Sequence, residues 1–192
     1  MEQIFRDEVY EKVDYKESLL AYGEYEGCTF KSCDLSGVDL SGLIFADCDF
    51  VDCNLSMAML TKTVFRDVRF RGCKMLGLHF EHCNAFALSF SFERCILDHS
   101  SFYQTKIKKT VFKDCQMRET DLSQCDLGAA VLDNCDLMGA TFDRTILEKA
   151  DLRTAYNYSL DPEINKIKKA KFSVAGIAGL LDKYDIDIDT TT

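Results

Sequence analysis

An all-β solenoid wound as a four-sided coil is the fold this sequence predicts, on three observations. The first is a column pattern. Cut every five residues from Thr120 to Arg153, the chain reads TDLSQ CDLGA AVLDN CDLMG ATFDR TILEK ADLR. Its third column is Leu122, Leu127, Leu132, Leu137, Phe142, Leu147 and Leu152, and its first column is small. The second is the period itself. A helix repeats its apolar face every 3.6 residues and a strand every 2, so five suits neither. A small and a large residue two apart share one side of an extended segment, and the phase resets only if the chain turns a corner once per block. The third is the spacing of the cysteines. Five pairs lie four blocks apart (Cys28/Cys48, Cys33/Cys53, Cys53/Cys73, Cys95/Cys115, Cys115/Cys135), more than at separations of one, two or three blocks. Like residues therefore stack after four blocks, one coil of a repeat architecture.

Taken in order, residues 1–172 form this coil. Residues 1–26 are an irregular first coil, in which Tyr10, Tyr15, Leu20 and Tyr25 keep the frame with irregular partners; terminal repeats have one side toward water. From Cys28 to Cys83 the large column runs from Phe30 to Phe80 without a gap. The frame breaks over 85–94 and resumes at Cys95 and Leu97, two residues out of register. A bulge or small protrusion is expected there, with Phe86 or Phe92 displaced from the core. Phe102 to Leu152 continue the column, and 154–172 is a worn last coil. Residues 173–192 are expected to form an α-helix and a loose tail. Ser173 is a suitable N-cap, and Val174, Ile177, Leu180, Leu181 and Tyr184 fall on one helical stripe. Gly176 and Gly179 each weaken that helix by roughly 1 kcal/mol and admit another backbone. The helix is expected to cover the end of the coil and, where its stripe exceeds that end, to join two chains.

The charge bounds the partners. The chain has 192 residues and a formal net charge of −9, so nucleic acid and anionic membrane are not expected to bind it directly. No apolar run reaches the roughly 20 residues that span a bilayer, and MEQIFRDEVY has no basic-then-apolar signal region; a soluble, cytoplasmic protein is expected. All ten cysteines fall in the small column. That phase reads as core packing of free thiols and not as disulfides or zinc ligands. The segment HFEHC puts Cys83 inward and His79 and His82 outward, so they are not expected to share an ion. The recurrent aspartates of the second column read as corner residues bonded to nearby backbone, not as a catalytic pair. No catalytic, cofactor-binding or metal site is expected. Acidic residues outnumber basic ones 13 to 4 over residues 1–60 and 9 to 3 over 114–152, with basic belts at Lys62–Lys74, Lys106–Lys113 and Lys166–Lys171.

The blocks CDLSG at Cys33, VDLSG at Val38, CNLSM at Cys53, TDLSQ at Thr120, CDLMG at Cys135 and ADLRT at Ala150 resemble the pentapeptide-repeat family over about residues 28–153. The resemblance implies a right-handed quadrilateral β-helix. CNLSMAML at Cys53, LGLHFEHCNA at Leu76 and the apolar C-terminal segment are most similar to the quinolone-resistance proteins of the Qnr and MfpA type. That likeness implies a DNA-mimicking, non-enzymatic protein that binds DNA gyrase or topoisomerase IV and dimerises through its C-terminal helix. The partner-binding carboxylates would then be the outward ones near the dimer end: Asp121, Asp126, Asp133, Asp136, Asp143 and Asp151. The alternative is a rigid scaffold for a different protein partner, with the register break as the docking point.

Overall fold

A computed structural model describes residues 3–86 and 88–189. One residue of the expected break, the first two of the first coil and the last three of the tail lie outside the described residues. The chain is the all-β solenoid the columns imply. Eleven short strands pair in parallel in two sheets, of order β1-β3-β5-β7 and β11-β10-β9-β8-β6-β4-β2. The strands are β1 (Gln3–Arg6), β2 (Val9–Glu11), β3 (Gly23–Glu26), β4 (Thr29–Lys31), β5 (Ile44–Ala46), β6 (Asp49–Val51), β7 (Val64–Arg66), β8 (Val68–Arg71), β9 (Phe90–Glu93), β10 (Val111–Lys113) and β11 (Val131–Asp133). The register advances by four blocks per coil, as in Phe30↔Phe50↔Phe70, so each coil has four sides, one block to a side. We call the side of β1, β3, β5 and β7 face 1 and the side of the longer sheet face 2. Face 3 carries the bridges Asp14↔Asp34↔Asn54↔Lys74, and face 4 carries Asp39↔Met59 and Ser101↔Asp121↔Thr141. Beyond the break, face 1 resumes as Lys106↔Asp126↔Ile146↔Lys166.

Two local devices turn the corners. The fifth residue of nearly every block takes a left-handed φ, as at Asp47 (53°), Asp52 (53°) and Asn134 (51°), a region Asp and Asn tolerate better than other side chains. The second-column carboxylate then accepts the amide two residues on: Ser36 N–H to Asp34 Oδ1 (2.9 Å), Ser123 N–H to Asp121 Oδ1 (2.8 Å) and Met138 N–H to Asp136 Oδ1 (3.2 Å). The expected corner role of these aspartates is thus seen in the structure.

The core is a set of stacked columns. On face 2, Tyr10, Phe30, Phe50, Phe70, Phe92 and Phe112 stack ring on ring at 4.7 to 5.3 Å, close to the spacing of parallel strands. Each fully buried ring contributes about 1.5–3 kcal/mol. The ten thiols are free and buried. Most donate to the carbonyl of the large residue one coil below, as Cys48 Sγ does to Tyr25 (3.2 Å) and Cys53 Sγ to Phe30 (3.3 Å).

The break is narrower than the sequence predicts and lies between strands. Phe92 is not displaced: it stacks between Phe70 and Phe112, and Phe90 is buried as well. Strands β8 and β9 pair continuously, with a step longer by two than the regular one (Val68↔Phe90). The extra residues are taken up earlier. Thr63 and Phe65, two residues apart, offer carbonyls to the amides of Asn84 and Ser89, five residues apart. The loop so formed interrupts face 1, whose aromatic column ends at Phe65. Phe90, in a small-column position, fills the gap edge-on to Phe65 and Phe80. Phe86 does leave the core and is 85% exposed.

The expected C-terminal α-helix is corrected. Ala175–Leu180 and Asp182–Tyr184 are 3₁₀ turns. The reason is crowding. A Cβ on Gly179 would collide with the Tyr158 carbonyl and one on Gly176 with the Tyr158 hydroxyl, so both glycines are pressed onto the last coil. Held there, Gly179 gives its carbonyl to the Leu160 amide (2.9 Å) and is not free to continue an i→i−4 ladder. Ser173 Oγ does accept the Gly176 amide (3.1 Å). Leu180 packs on the core, while Val174 (89% exposed), Ile177 and Tyr184 face outward.

Candidate interaction surfaces

Three surfaces follow from the sequence expectations: the aspartates, the break and the C-terminal segment. The six aspartates do not share one environment. Asp136 is only 2% exposed. It accepts Arg118 Nε (2.7 Å) and Asn157 Nδ2 (2.8 Å). Burial pushes its carboxyl up, but these bonds and the Met138 amide hold it below the usual range. Asp126 is nearly buried and pairs with Lys108 (3.1 Å). Asp143 pairs with Arg144 (2.8 Å). Asp151 pairs with Arg153 (2.7 Å) and Lys171 (3.4 Å), and Arg153 first of all holds it well below its ordinary value. Asp133 accepts the Thr154 hydroxyl (2.8 Å), and Asp121 bonds its own corner. Four of the six thus carry a cation at contact distance, which offsets their field.

Sequence reasoning missed all of these pairs; Asp143–Arg144 and Asp151–Arg153 are local, but others are contained in the period. Lys16–Asp34, Lys108–Asp126 and Arg118–Asp136 share one offset, two positions short of a full coil. The cation follows its large residue and the acid precedes the next one, which removes those two.

Some carboxylates of the first half are unpaired. Asp7, Asp47 and Asp67 stand on the corner between faces 1 and 2, with Gly27 in the same column, and none of the three makes an ion pair among the described residues. Asp52 holds the corresponding position on the next corner. In the second half the first of these corners carries Lys109, Ala129, Lys149 and Lys169. The corner therefore changes sign along the rod, at the level of the loop.

At that level face 1 carries local relief. Phe86 N–H is held by Asn84 Oδ1 (2.9 Å), and shallow grooves of about 380 Å³ and 280 Å³ flank the loop, Leu88 lining both. Arg66 lies below it and Lys106 above, both exposed. His79 and His82 stack at 5.3 Å nearby, His79 Nδ1 lies 2.9 Å from Glu81, and Cys83 points inward. The C-terminal turns are clasped to the last coil by Lys183, between Asp161 (2.8 Å) and Glu163 (2.7 Å). Among the described residues no helix is long and apolar enough to cross a membrane.

Comparison with known proteins gives the same architecture. The family profile described as "Pentapeptide repeat region" matches residues 24–91 and 88–155. No curated protein matches in sequence. Among solved structures, a trypsin-treated variant of QnrB1, a plasmid-mediated fluoroquinolone resistance protein, is 18% identical, with a TM-score of 0.57 over 97% of this chain and 92% of its own. HetL, a pentapeptide repeat protein involved in heterocyst differentiation regulation from the cyanobacterium Nostoc sp. strain PCC 7120, is 15% identical, with a TM-score of 0.40 over 88% of this chain and 85% of its own.

Proposed function

This chain belongs to the pentapeptide-repeat family, and from that premise we propose that it is a non-enzymatic interaction protein that docks a protein partner on face 1, at the loop between Asn84 and Ser89. The observation that carries the reading is Phe86, a large aromatic side chain 85% exposed at the interruption of the coil on face 1. Anchors of this kind, seated in a partner's pocket, dominate interface energetics. Folds fix function poorly, so the reading rests on this site. Replacing residues 84–89 with the four residues Val64–Asp67 of the coil below restores the regular four-block step. The expected result is a chain that keeps its melting temperature and loses the proteins that wild type captures from the source cell; an unchanged captured set would overturn the reading.

A second reading is protection of a type II topoisomerase by charge mimicry, favoured by the net charge of −9 and by the open carboxylates of the first half. In this reading a rod with distributed carboxylates occupies a groove that otherwise holds a duplex, whose charge density is far higher per unit length. It is tested by a gyrase supercoiling assay with a fluoroquinolone. Supercoiling restored at low protein and inhibited at high protein supports it; a flat titration removes it. Asn at Asp121, Asp133, Asp143 and Asp151 together should abolish that protection if the second half is the mimic, whereas Asn at Asp7, Asp47, Asp52 and Asp67 should do so if the first half is.

The outward residues Val174, Ile177 and Tyr184 are also proposed to join two copies. Ile177→Asp should then convert a dimer into a monomer in sedimentation, and an unchanged mass would discard the interface. The free thiols suit a reducing compartment such as the cytoplasm.

A further inference from the structure

We propose that the second half of face 1 is a docking surface for an acidic segment of a protein partner; this deepens the interaction reading above and rests on it. The coil gathers lysines that are far apart in sequence. Lys106 and Lys166 share one column of face 1, Lys108 and Lys168 the next, and Lys109, Lys149 and Lys169 the corner beside it. All seven are exposed. Among the described residues only Lys108 makes an ion pair, with Asp126. Successive coils are about 4.8 Å apart, so Lys149 and Lys169 stand on neighbouring layers. Like charges so placed repel, and an anion laid across them relieves that repulsion.

The surface also has a trough. Gly128 and Ala129 occupy the layer between Lys109 and Lys149, and the groove there encloses about 190 Å³. Its floor is low because Gly128 has no side chain; a Cβ there would lie 3.1 Å from Asp126 Oδ1 and 3.6 Å from Lys108 Cγ. Lys109 and Lys149 flank the trough, and Asp126 and Glu148 also line it, so an incoming carboxylate is held at the lysine corner. The carboxylates within the strip, Asp126 and Glu148, favour a protein over nucleic acid. A continuous phosphate backbone would have to pass over both, on a molecule of net charge −9, whereas an acidic peptide can place neutral residues there. Lower on the same corner stand Asp7, Asp47 and Asp67, which repel such a partner and confine it to this half.

The test uses the full chain and a fluorescein-labelled decaglutamate peptide, read by anisotropy at low salt. Wild type is compared with the triple variant K109E/K149E/K169E and with a control of equal charge change, K12E/K62E/K74E, on exposed lysines outside the strip. The expected result is binding that falls at least about tenfold in the first variant and much less in the control. No binding by wild type, or equal losses in both variants, would overturn the proposal. Tighter binding of a ten-residue oligothymidylate than of the peptide would overturn it in favour of nucleic acid. If the strip variant keeps a cell partner that the loop-replaced chain loses, this inference fails while the interaction reading stands; if wild type captures no partner, the reading itself fails.

Discussion

Thr63 Oγ1 donates to the Leu40 carbonyl (2.8 Å) and Ser100 Oγ to the Met75 carbonyl (2.8 Å), the bond that cysteines make elsewhere in the same column. The small column therefore selects a short side chain with one donor, and the element that carries the hydrogen matters little. Cys95→Ser should change stability by less than about 1 kcal/mol, because the Phe70 carbonyl keeps a donor, whereas Cys95→Leu should cost about 1–3 kcal/mol by overpacking; urea unfolding distinguishes them. Burial pushes Cys48, Cys83 and Cys125 up to about 12. Their thiols should not react with a disulfide reagent at pH 8 until the chain unfolds. Carboxylates shift the other way. Ser36, above all, brings Asp34 down to about 2, and Asp39 and Asp49 are also lowered, chiefly by Ser41 and Arg69. A carboxylate depressed on folding contributes stability that is present above its unfolded value, near 3.9, and is lost as pH falls through the folded one. The rod should accordingly lose stability between about pH 4 and pH 2, and the Asp34 carboxyl should titrate near 2 in an NMR pH series. Among the pairs, Arg118→Met should lower the melting temperature, because the nearly buried Asp136 loses its cation and keeps only Asn157 and the Met138 amide. Arg144→Met, at an exposed pair, should leave the melting temperature nearly unchanged.

At the scale of elements, the sides of the coil were legible and the exceptions were not. A column of Phe and Leu every five residues is a direct record of packing, and the four-block stacking could be read from cysteines alone. The break was drawn too wide, out to 94, because Phe90 and Phe92 follow an irregular ALSFSF run. Periodicity cannot show that a phenylalanine in a small column is filling the space left by an interrupted neighbour column. The C-terminal helix failed for a related reason. Val174, Ile177, Leu180 and Tyr184 do have helical spacing, but Gly176 and Gly179 were placed by Tyr158, a tertiary contact that overrides local preference. Gly179→Ala should release that segment. Limited proteolysis should then cut within 173–184 while the melting transition of the coil stays within a few degrees, and a collapse of the whole transition would show that the segment is integral to the coil. Of the candidate surfaces, the corner role of the aspartates and the basic belts at Lys106–Lys113 and Lys166–Lys171 were readable, whereas pairs such as Lys108–Asp126 and Arg118–Asp136 were not, because these arise only when residues about one coil apart are brought side by side.

Over the whole molecule, each coil touches only the coils above and below it, so stability adds along the rod in nearest-neighbour increments. Deleting residues 111–130, one full coil, keeps every later residue on its own side. Deleting 111–115 keeps the columns in phase but turns everything beyond it by a quarter, so each later side stacks on a different one and pairs such as Lys108–Asp126 lose their spacing. The first variant should unfold cooperatively at a modestly lower temperature, and the second should lose its transition or drop far further; circular dichroism melts would separate them. The constant register from coil to coil has one more consequence. It graduates the molecule like a ruler, with marks about 4.8 Å apart. Adding or removing a coil moves whatever is fastened at one end by one mark relative to the other, with no change in heading. The longer step at the loop leaves the headings alone as well, since Lys106 still stands over the side of Phe65. A gene encoding such a rod can therefore tune the distance between two bound bodies in fixed increments while each keeps facing the same way.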